Sequence, residues 1–431
     1  MSDNPVFPAD GEKLSTEQIH STHVPHPGVD EFFRRSALMI GTRGSGKTFL
    51  LRHRKLVAHP GAVYINLVKC LQSLSRDSGL GGRTLHYSDS QRAQIRAKAA
   101  ALIAATAVEQ LLKDQRWAGR TPLPLGRLAP LLTSDIDVSG NADLDTVTAL
   151  RRQINQKRLR DWANESIDSW LLAEILCDIG NALEPPLALF LDRAEDAPAP
   201  ALQLLLPLLD QSVEFLTVIA ARPGLAQLVP DELDPTLVPG DHFDIVHLGS
   251  DPYDQSWITF SASAVRNYLD ANGVNLDDDQ ELTWSSRMAR DSVRSAVTLT
   301  QIGLATRGKQ QRDRRSERLT ALRDHQLATI RAELQPEHPD FAATVRLVRQ
   351  RFHDELLAGT QQGVLINVSD ADEQLSLVRQ RGQLTDFLLK AIRCEALYLP
   401  PGHLWHPFQL PITFELPPLL AWDSRNTSWI S

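Results

Sequence analysis

Apolar residues along this chain gather into short unbroken blocks, separated by longer stretches in which apolar positions recur at helical spacing. The blocks are "SALMI" (36–40), "GAVYINL" (61–67), "LALFLD" (187–192), "EFLTVIAARPG" (214–224) and "FDIVHLG" (243–249). Such blocks predict buried strands, the one at 61–67 being rich in β-branched and aromatic residues. Strands that are apolar on both faces belong to a parallel sheet covered by helices, so the expected fold class is α/β in three layers. Helical spacing begins at Lys47 and runs through Phe49, Leu50 and Leu51. "SDSQRAQIRAKAAALIAATAVEQLLKDQRW" predicts one long helix with Ser88, Asp89 or Ser90 as its N-cap. A Pro/Gly/Asp-punctuated loop is expected over 120–145 and mainly helix over 145–183, including the basic run "RRQINQKRLR". Residues from about 254 to 305 read as all-helical, and the last section as helices followed by extended pieces such as "ALYLP" and "ITFEL". The chain carries no internal repeat.

Composition narrows the class. Of 431 residues, 42% are apolar and 23% charged, enough apolar material for a real core. The formal charge of −8 argues against indiscriminate coating of nucleic acid, though not against a local basic patch. Cys70, Cys177 and Cys394 are far apart and lack metal-type spacing, which points to a reducing compartment. The first residues lack the basic-then-apolar order of a signal peptide. The most apolar helical stretch, "AAALIAATAV", is far shorter than the roughly 18 residues of a membrane span, so no membrane partner and a cytoplasmic location are expected. Residues 1–30 are polar and rich in Pro and His. His20, His23 and His26 have no Cys or acid to complete a ligand set, so a surface arm is expected there rather than a metal site.

One motif carries chemistry. "GTRGSGKT" contains Gly41, Gly46, Lys47 and Thr48 in the spacing Gly-x4-Gly-Lys-Thr, between an expected strand and an expected helix. Glycines let backbone N–H groups turn inward on phosphates, and the following helix offers its positive N-terminus. In that pattern the loop from Gly41 through Arg43, Gly44, Ser45 and Gly46 binds the phosphates of a nucleotide. Lys47 reaches the β- and γ-phosphates and Thr48 binds Mg2+. A second acid at the end of a buried strand completes the Mg2+ shell, and Asp192 after "LALFL" has that position. ATP and Mg2+ are therefore the expected ligands. The loop reads phosphates and leaves adenine against guanine open. Lys47 and Asp192 are 145 positions apart. A strand–helix–strand unit takes roughly 30 residues, so a mainly helical insertion is expected over about 75–183.

The order of phosphate loop, "LFLDRAED", "VIAARPG" and a helical segment with "ARDSVRSAVTL" resembles the origin-recognition and initiator type of AAA+ ATPases and the related STAND ATPases. The resemblance covers about residues 31–305. It implies a P-loop ATPase core over 31–250, a helical lid over 251–306 and a C-terminal helical or winged-helix-like domain over 307–431. It also implies that Arg222 of "AARPG" reads the terminal phosphate and that Arg294 of "SVRSA" approaches the nucleotide from the lid, although the family's Gly-x-x-Arg has Asp291 in place of Gly. In the AAA+ pattern the residue after the Mg2+ acid orients the attacking water. Here it is Arg193, which cannot take a proton at neutral pH. Glu195 is the best candidate base, with Asp196 beside it. Both acids equally suit the cap of the next helix.

Three readings of function follow. The first is a slowly hydrolysing ATPase whose ATP and ADP states switch its contact with a protein effector, a second copy of itself or DNA, by analogy with relatives in prokaryotic antiviral defence. The second is an initiator-type DNA-binding ATPase that uses the basic stretch Arg307–Arg323, the run "RRQINQKRLR" or the C-terminal domain. For each basic run, a solvated helix face is the competing interpretation. The third is a scaffold that holds ATP without turnover. Trp405 and His406, at a Pro/Gly-rich tip between Pro400 and Pro411, fit a protein contact better than a nucleic-acid surface. No second-substrate motif marks a small-molecule kinase, although the insertion has room for one.

Overall fold

The computed structural model describes residues 11–305, apart from 13, 27–28, 30–31, 42–43, 59–60, 78–86, 115–124, 139, 163–166, 182–186, 195–196, 211–212, 222–237, 249–254, 275, 277 and 290–291, together with Arg318 and the strands at 364–367, 412–415 and 422–423. Its centre is a five-stranded sheet of β1 (Ala37–Gly41), β2 (Ala62–Asn66), β3 (Ala188–Asp192), β4 (Leu216–Ala221) and β5 (Asp244–Leu248). The spatial order is β2-β3-β4-β1-β5 and every pairing is parallel. The fold class is α/β. Alternate residues of each strand feed two separate cores. Leu38, Ile40, Val63, Ile65, Leu189 and Leu191 face one, while Ala37, Met39, Ala62, Phe190 and Val218 face the other. A sheet buried on both faces needs continuous apolar strands, which is why the sequence blocks lack a polar alternation.

The first core is built on α5 (Asp89–Lys113), a 25-residue helix that starts with a capping box between Ser88 and Gln91. Its middle, Ala99 to Val108, is buried all round. Small side chains allow α6 (Leu144–Gln156), α7 (Ser169–Asn181) and a 3₁₀ turn (Leu125–Leu131) to close on it. That turn falls where a plain loop was expected. Its Leu125, Leu128 and Leu131 are buried, so its apolar spacing outweighs Pro130 and the flanking glycines.

Two of the five cations of the basic run at the end of α6 are held by acids from elsewhere in the insertion, while Arg152, Arg158 and Arg160 are exposed. Arg151 pairs with the buried Glu109 at 2.7 Å, and Lys157 pairs with Asp135. Lys98, with no exposed surface, donates to the Lys157 carbonyl at 2.7 Å. A cation there complements the negative end of α6.

Residues 14–26 do not form a surface arm. In α1 (Thr16–Thr22) Ile19 is fully buried, and Leu14 is buried with it. Both join a core with α9 (Gln255–Ala271), α10 (Asp279–Ala289) and α11 (Val293–Ala305), against Phe49 and Leu56 of α2 (Lys47–Val57). His26 is buried against Trp257 and Phe260, and the His23 ring stacks on His53 at 3.4 Å. The apolar positions that anchor this segment are too few to stand out in a Pro/His-rich sequence. Among the described residues no group of His, Cys, Asp or Glu is arranged to hold a metal ion, and no helix is long and apolar enough to cross a membrane.

Of the basic stretch 307–323, Arg318 alone is described. It is buried, paired with Glu281 and placed over the Trp284 ring, and Gly303 leaves the room that its guanidinium fills. This arginine is therefore not available to a phosphate backbone. Beyond it, β6 (Val364–Asn367) pairs parallel with β7 (Ile412–Glu415), and β7 pairs antiparallel with β8 (Trp422–Asp423). The rest of the expected winged-helix-like domain, with Trp405 and His406, lies outside the described residues.

Strand β2 is an edge of the five-stranded sheet. The Gln110 side chain of α5 covers it: its amide donates to the Tyr64 carbonyl, and its oxygen accepts from the Tyr64 N–H at 3.2 Å. One side chain thus stands in for a neighbouring strand, a device that blunts edge pairing. Gln110→Ala is expected to leave both backbone groups unpaired and to lower stability by about 1–3 kcal/mol. Urea unfolding of the two proteins measures this.

Candidate functional site

The site begins where β1 ends. Gly41 closes the strand and Lys47 opens α2, with Gly46 at the N-cap in a left-handed conformation. A Cβ on Gly41 would lie 2.5 Å from Ser45 Oγ, so the turn leaves no room for a side chain there. Gly44 has φ 89°, and a Cβ on it would lie 2.6 Å from Ser292 Oγ. Its carbonyl accepts a hydrogen bond from the Arg294 N–H at 3.3 Å. The loop is therefore pressed against the start of α11, where the Ser292 hydroxyl accepts from the Ser295 N–H. Ser45 is fully buried, and its hydroxyl has no hydrogen-bond partner among the described residues. Lys47 curls over the loop, its Nζ donating to the Gly41 carbonyl at 2.5 Å. Arg43 lies outside the described residues.

Asp192, at the carboxyl end of β3, has no exposed surface. Thr48 Oγ1 donates to its Oδ2 at 2.7 Å, the Tyr64 hydroxyl donates to the same oxygen at 2.8 Å, and the Arg193 N–H donates to Oδ1 at 3.0 Å. Burial pushes the Asp192 carboxyl above its ordinary range, while the Thr48 and Tyr64 hydroxyls and the Lys47 charge pull the other way. The Tyr64 phenol is driven far above its ordinary range, first by burial and then by the Asp192 charge, so it stays a donor. Thr48 and Asp192 present hard oxygens side by side, a donor set that fits Mg2+.

Arg193 has φ 63°, and it is the non-glycine residue with positive φ among the described residues. That conformation costs about 1 kcal/mol. It turns the guanidinium toward Glu12, 3.8 Å away. Glu12 also takes a hydrogen bond from Asn66 Nδ2 at 2.5 Å and an ion pair from Lys69 at 2.7 Å. Asn66 is the strand partner of Asp192 across β2 and β3. Sequence reasoning missed Glu12, Tyr64 and Asn66. The register that brings them to Asp192 is a long-range pairing and leaves no local motif.

These elements enclose a cavity of about 190 Å³ at the carboxyl end of the sheet. Gly44, Gly46, Lys47, Thr48 and Asp192 line its polar side, and Arg294 reaches it from α11. Leu14, Phe260, Tyr268 and Val297 form an apolar wall. Strand β4 runs between β1 and β3 and ends at Ala221, paired with Ile40. The next residue, Arg222, and the acid Glu195 lie outside the described residues.

A Walker-type ATPase of Pyrococcus abyssi is similar in fold, at 14% identity and a TM-score of 0.41, over 89% of this chain and 95% of that one. No protein-family model matches the chain, and no curated protein matches its sequence.

Asp192→Asn is expected to remove a buried charge while keeping an acceptor for Thr48. The pH dependence has a definite sign. A carboxyl whose folded pKa lies above its unfolded value binds more protons in the folded state, so wild-type stability falls as pH rises from about 4 through the raised value. His247, whose pKa burial lowers, contributes a rise over part of the same window in both proteins, so the fall is read as the difference between wild-type and Asp192→Asn melts from pH 4 to 8.

Proposed function

We propose that this protein is an ATP-binding regulatory ATPase of slow turnover, in which the nucleotide state alters how α9–α11 sit on the phosphate loop. The reading rests on one observation: Lys47, Thr48, Asp192 and Arg294 line a single cavity. ATP phosphates would lie against the loop N–H groups and the start of α2, where the helix end favours negative charge. Lys47 would leave the Gly41 carbonyl for the β- and γ-phosphates. Thr48 and Asp192 would hold Mg2+, which supplies charge neutralisation of those phosphates when bound. The base would rest on the wall of Leu14, Phe260, Tyr268 and Val297. Arg294 and Arg222 would read the terminal phosphate with their planar guanidinium groups. In this lid reading, loss of that phosphate on hydrolysis removes the attraction that holds α11 to the loop.

Slow hydrolysis follows from Arg193, which cannot accept a proton. Two carboxylates are candidates to orient the water. Glu195 is favoured by its place two residues after Arg193, and Glu12 by its position in the cavity wall. The reaction is ATP and water to ADP, phosphate and a proton. The partner would be a protein effector, a second copy of the chain or DNA. A role in antiviral defence rests on the family resemblance alone.

Binding of a fluorescent ATP analogue and release of phosphate test this reading. Lys47→Ala is expected to weaken binding at least about tenfold. Wild-type turnover should be on the order of 10⁻² s⁻¹ or lower, as for phosphate-loop enzymes that lack a full set of transition-state groups. Glu195→Gln and Glu12→Gln should leave binding intact, and the one that abolishes release identifies the water-orienting group. Wild-type binding no tighter than that of Lys47→Ala would sink the proposal. Fast release untouched by either glutamine would sink its slow-turnover part. Turnover that rises with duplex DNA would favour the initiator-type alternative.

A further inference from the structure

A second cavity, of about 940 Å³, lies beyond the edge strand β2, between α2, the short helix α3 (Leu67–Cys70), α5 and α6. Among the described residues it shares one wall residue, Glu12, with the cavity that holds Lys47. Its lining is cationic: Arg52, Lys55, Lys69, Lys113 and Arg151 face it against two carboxylates, Glu12 and Glu109. The carboxylates do not neutralise this surface. Each holds cations in place. Glu109, whose side chain is 2% exposed, carries both Lys113 and Arg151, at 2.5 and 2.7 Å. Glu12 carries Lys69 at 2.7 Å, and Arg52 is fixed by its bond to the Gly11 carbonyl. The Ser73 hydroxyl on this wall is buried with no hydrogen-bond partner among the described residues.

Among the described residues of the sheet, those of β2 alone line the cavity, through Tyr64, Ile65 and Asn66. Its volume falls within the range of small-molecule sites. Excess positive charge in two groups, around Glu12 and around Glu109, matches an anion with two charged ends. The forked donors of Arg52 and Arg151 match phosphate oxygens. We propose that this cavity is a second ligand site, separate from the nucleotide cavity, for a small molecule carrying two phosphate groups. The helical insertion supplies one wall of the site through α5 and α6, which gives these helices a role besides packing. The proposal stands on this cavity's own lining and does not require that ATP bind next door.

Fructose 1,6-bisphosphate and inorganic phosphate serve as probes, measured by calorimetry on the full-length Lys47→Ala protein so that binding at the phosphate loop is weakened. The bisphosphate is expected to bind at least roughly tenfold more tightly than inorganic phosphate, and more weakly as salt is raised. Lys69→Ala combined with Lys113→Ala should cost the bisphosphate at least roughly tenfold in affinity. Both of those side chains are more than half exposed, at 70% and 54%, and Arg151 remains to pair Glu109. An unchanged melting temperature establishes that the double variant is folded. Arg52→Ala is the second variant, with the same expected direction. Three results would each overturn the proposal: no binding of the bisphosphate, binding no tighter than that of inorganic phosphate, or binding unaltered in both variants. The ATP-analogue measurement on the wild type is independent, so failure here leaves the nucleotide reading intact, and the converse holds.

Discussion

The buried Asp192 carboxylate is the constraint on which the rest of the site depends. Taking a charge out of water costs several kcal/mol unless donors replace the lost hydration. Here the donors come from three places: Thr48 at the start of α2, Tyr64 on β2 and the backbone of Arg193. The demand of one carboxylate therefore fixes the helix after the phosphate loop, the edge strand and the turn that leaves β3. The left-handed conformation of Arg193 is part of the same arrangement, since it sends the backbone N–H to Asp192 and the guanidinium toward Glu12.

The N-terminal segment belongs to the site. Gly11 lies over the start of α2, Glu12 lines both cavities, and Leu14 and Ile19 fix the segment to α9–α11. The phosphate loop thus has neighbours from both ends of the described core. The bond from the Arg294 N–H to the Gly44 carbonyl joins the loop directly to the start of α11. In the proposed reading, this shared contact is the one that a bound phosphate would alter.

The helical insertion has a packing logic of its own. An alanine-rich α5 has little side-chain bulk, so neighbouring helices approach on several sides and bury its whole middle. Polar residues in such surroundings are costly, and three of them meet partners. Gln110 goes to the β2 edge, Lys98 to the end of α6, and Glu109 to Lys113 and Arg151. The same matching leaves a cationic wall on the second cavity, next to the one lined by Lys47.

Sequence alone determined what depends on neighbours in the chain. The five strands follow from unbroken apolar blocks, α5 from its helical period and Ser88 cap, and the phosphate loop from glycines whose spacing has a local mechanical reason. Tertiary structure decided what depends on distant pairing. The strand order puts β4 between β1 and β3, the register of β2 on β3 sets Asn66 opposite Asp192, and the N-terminal segment brings in Glu12. Arg151 and Lys157 read as a basic run in sequence, yet each is held by an acid from elsewhere in the insertion. Charge and periodicity are properties of a segment, but burial and partnership are properties of the packed chain, because the cost of an unpaired polar group is felt only once water is removed.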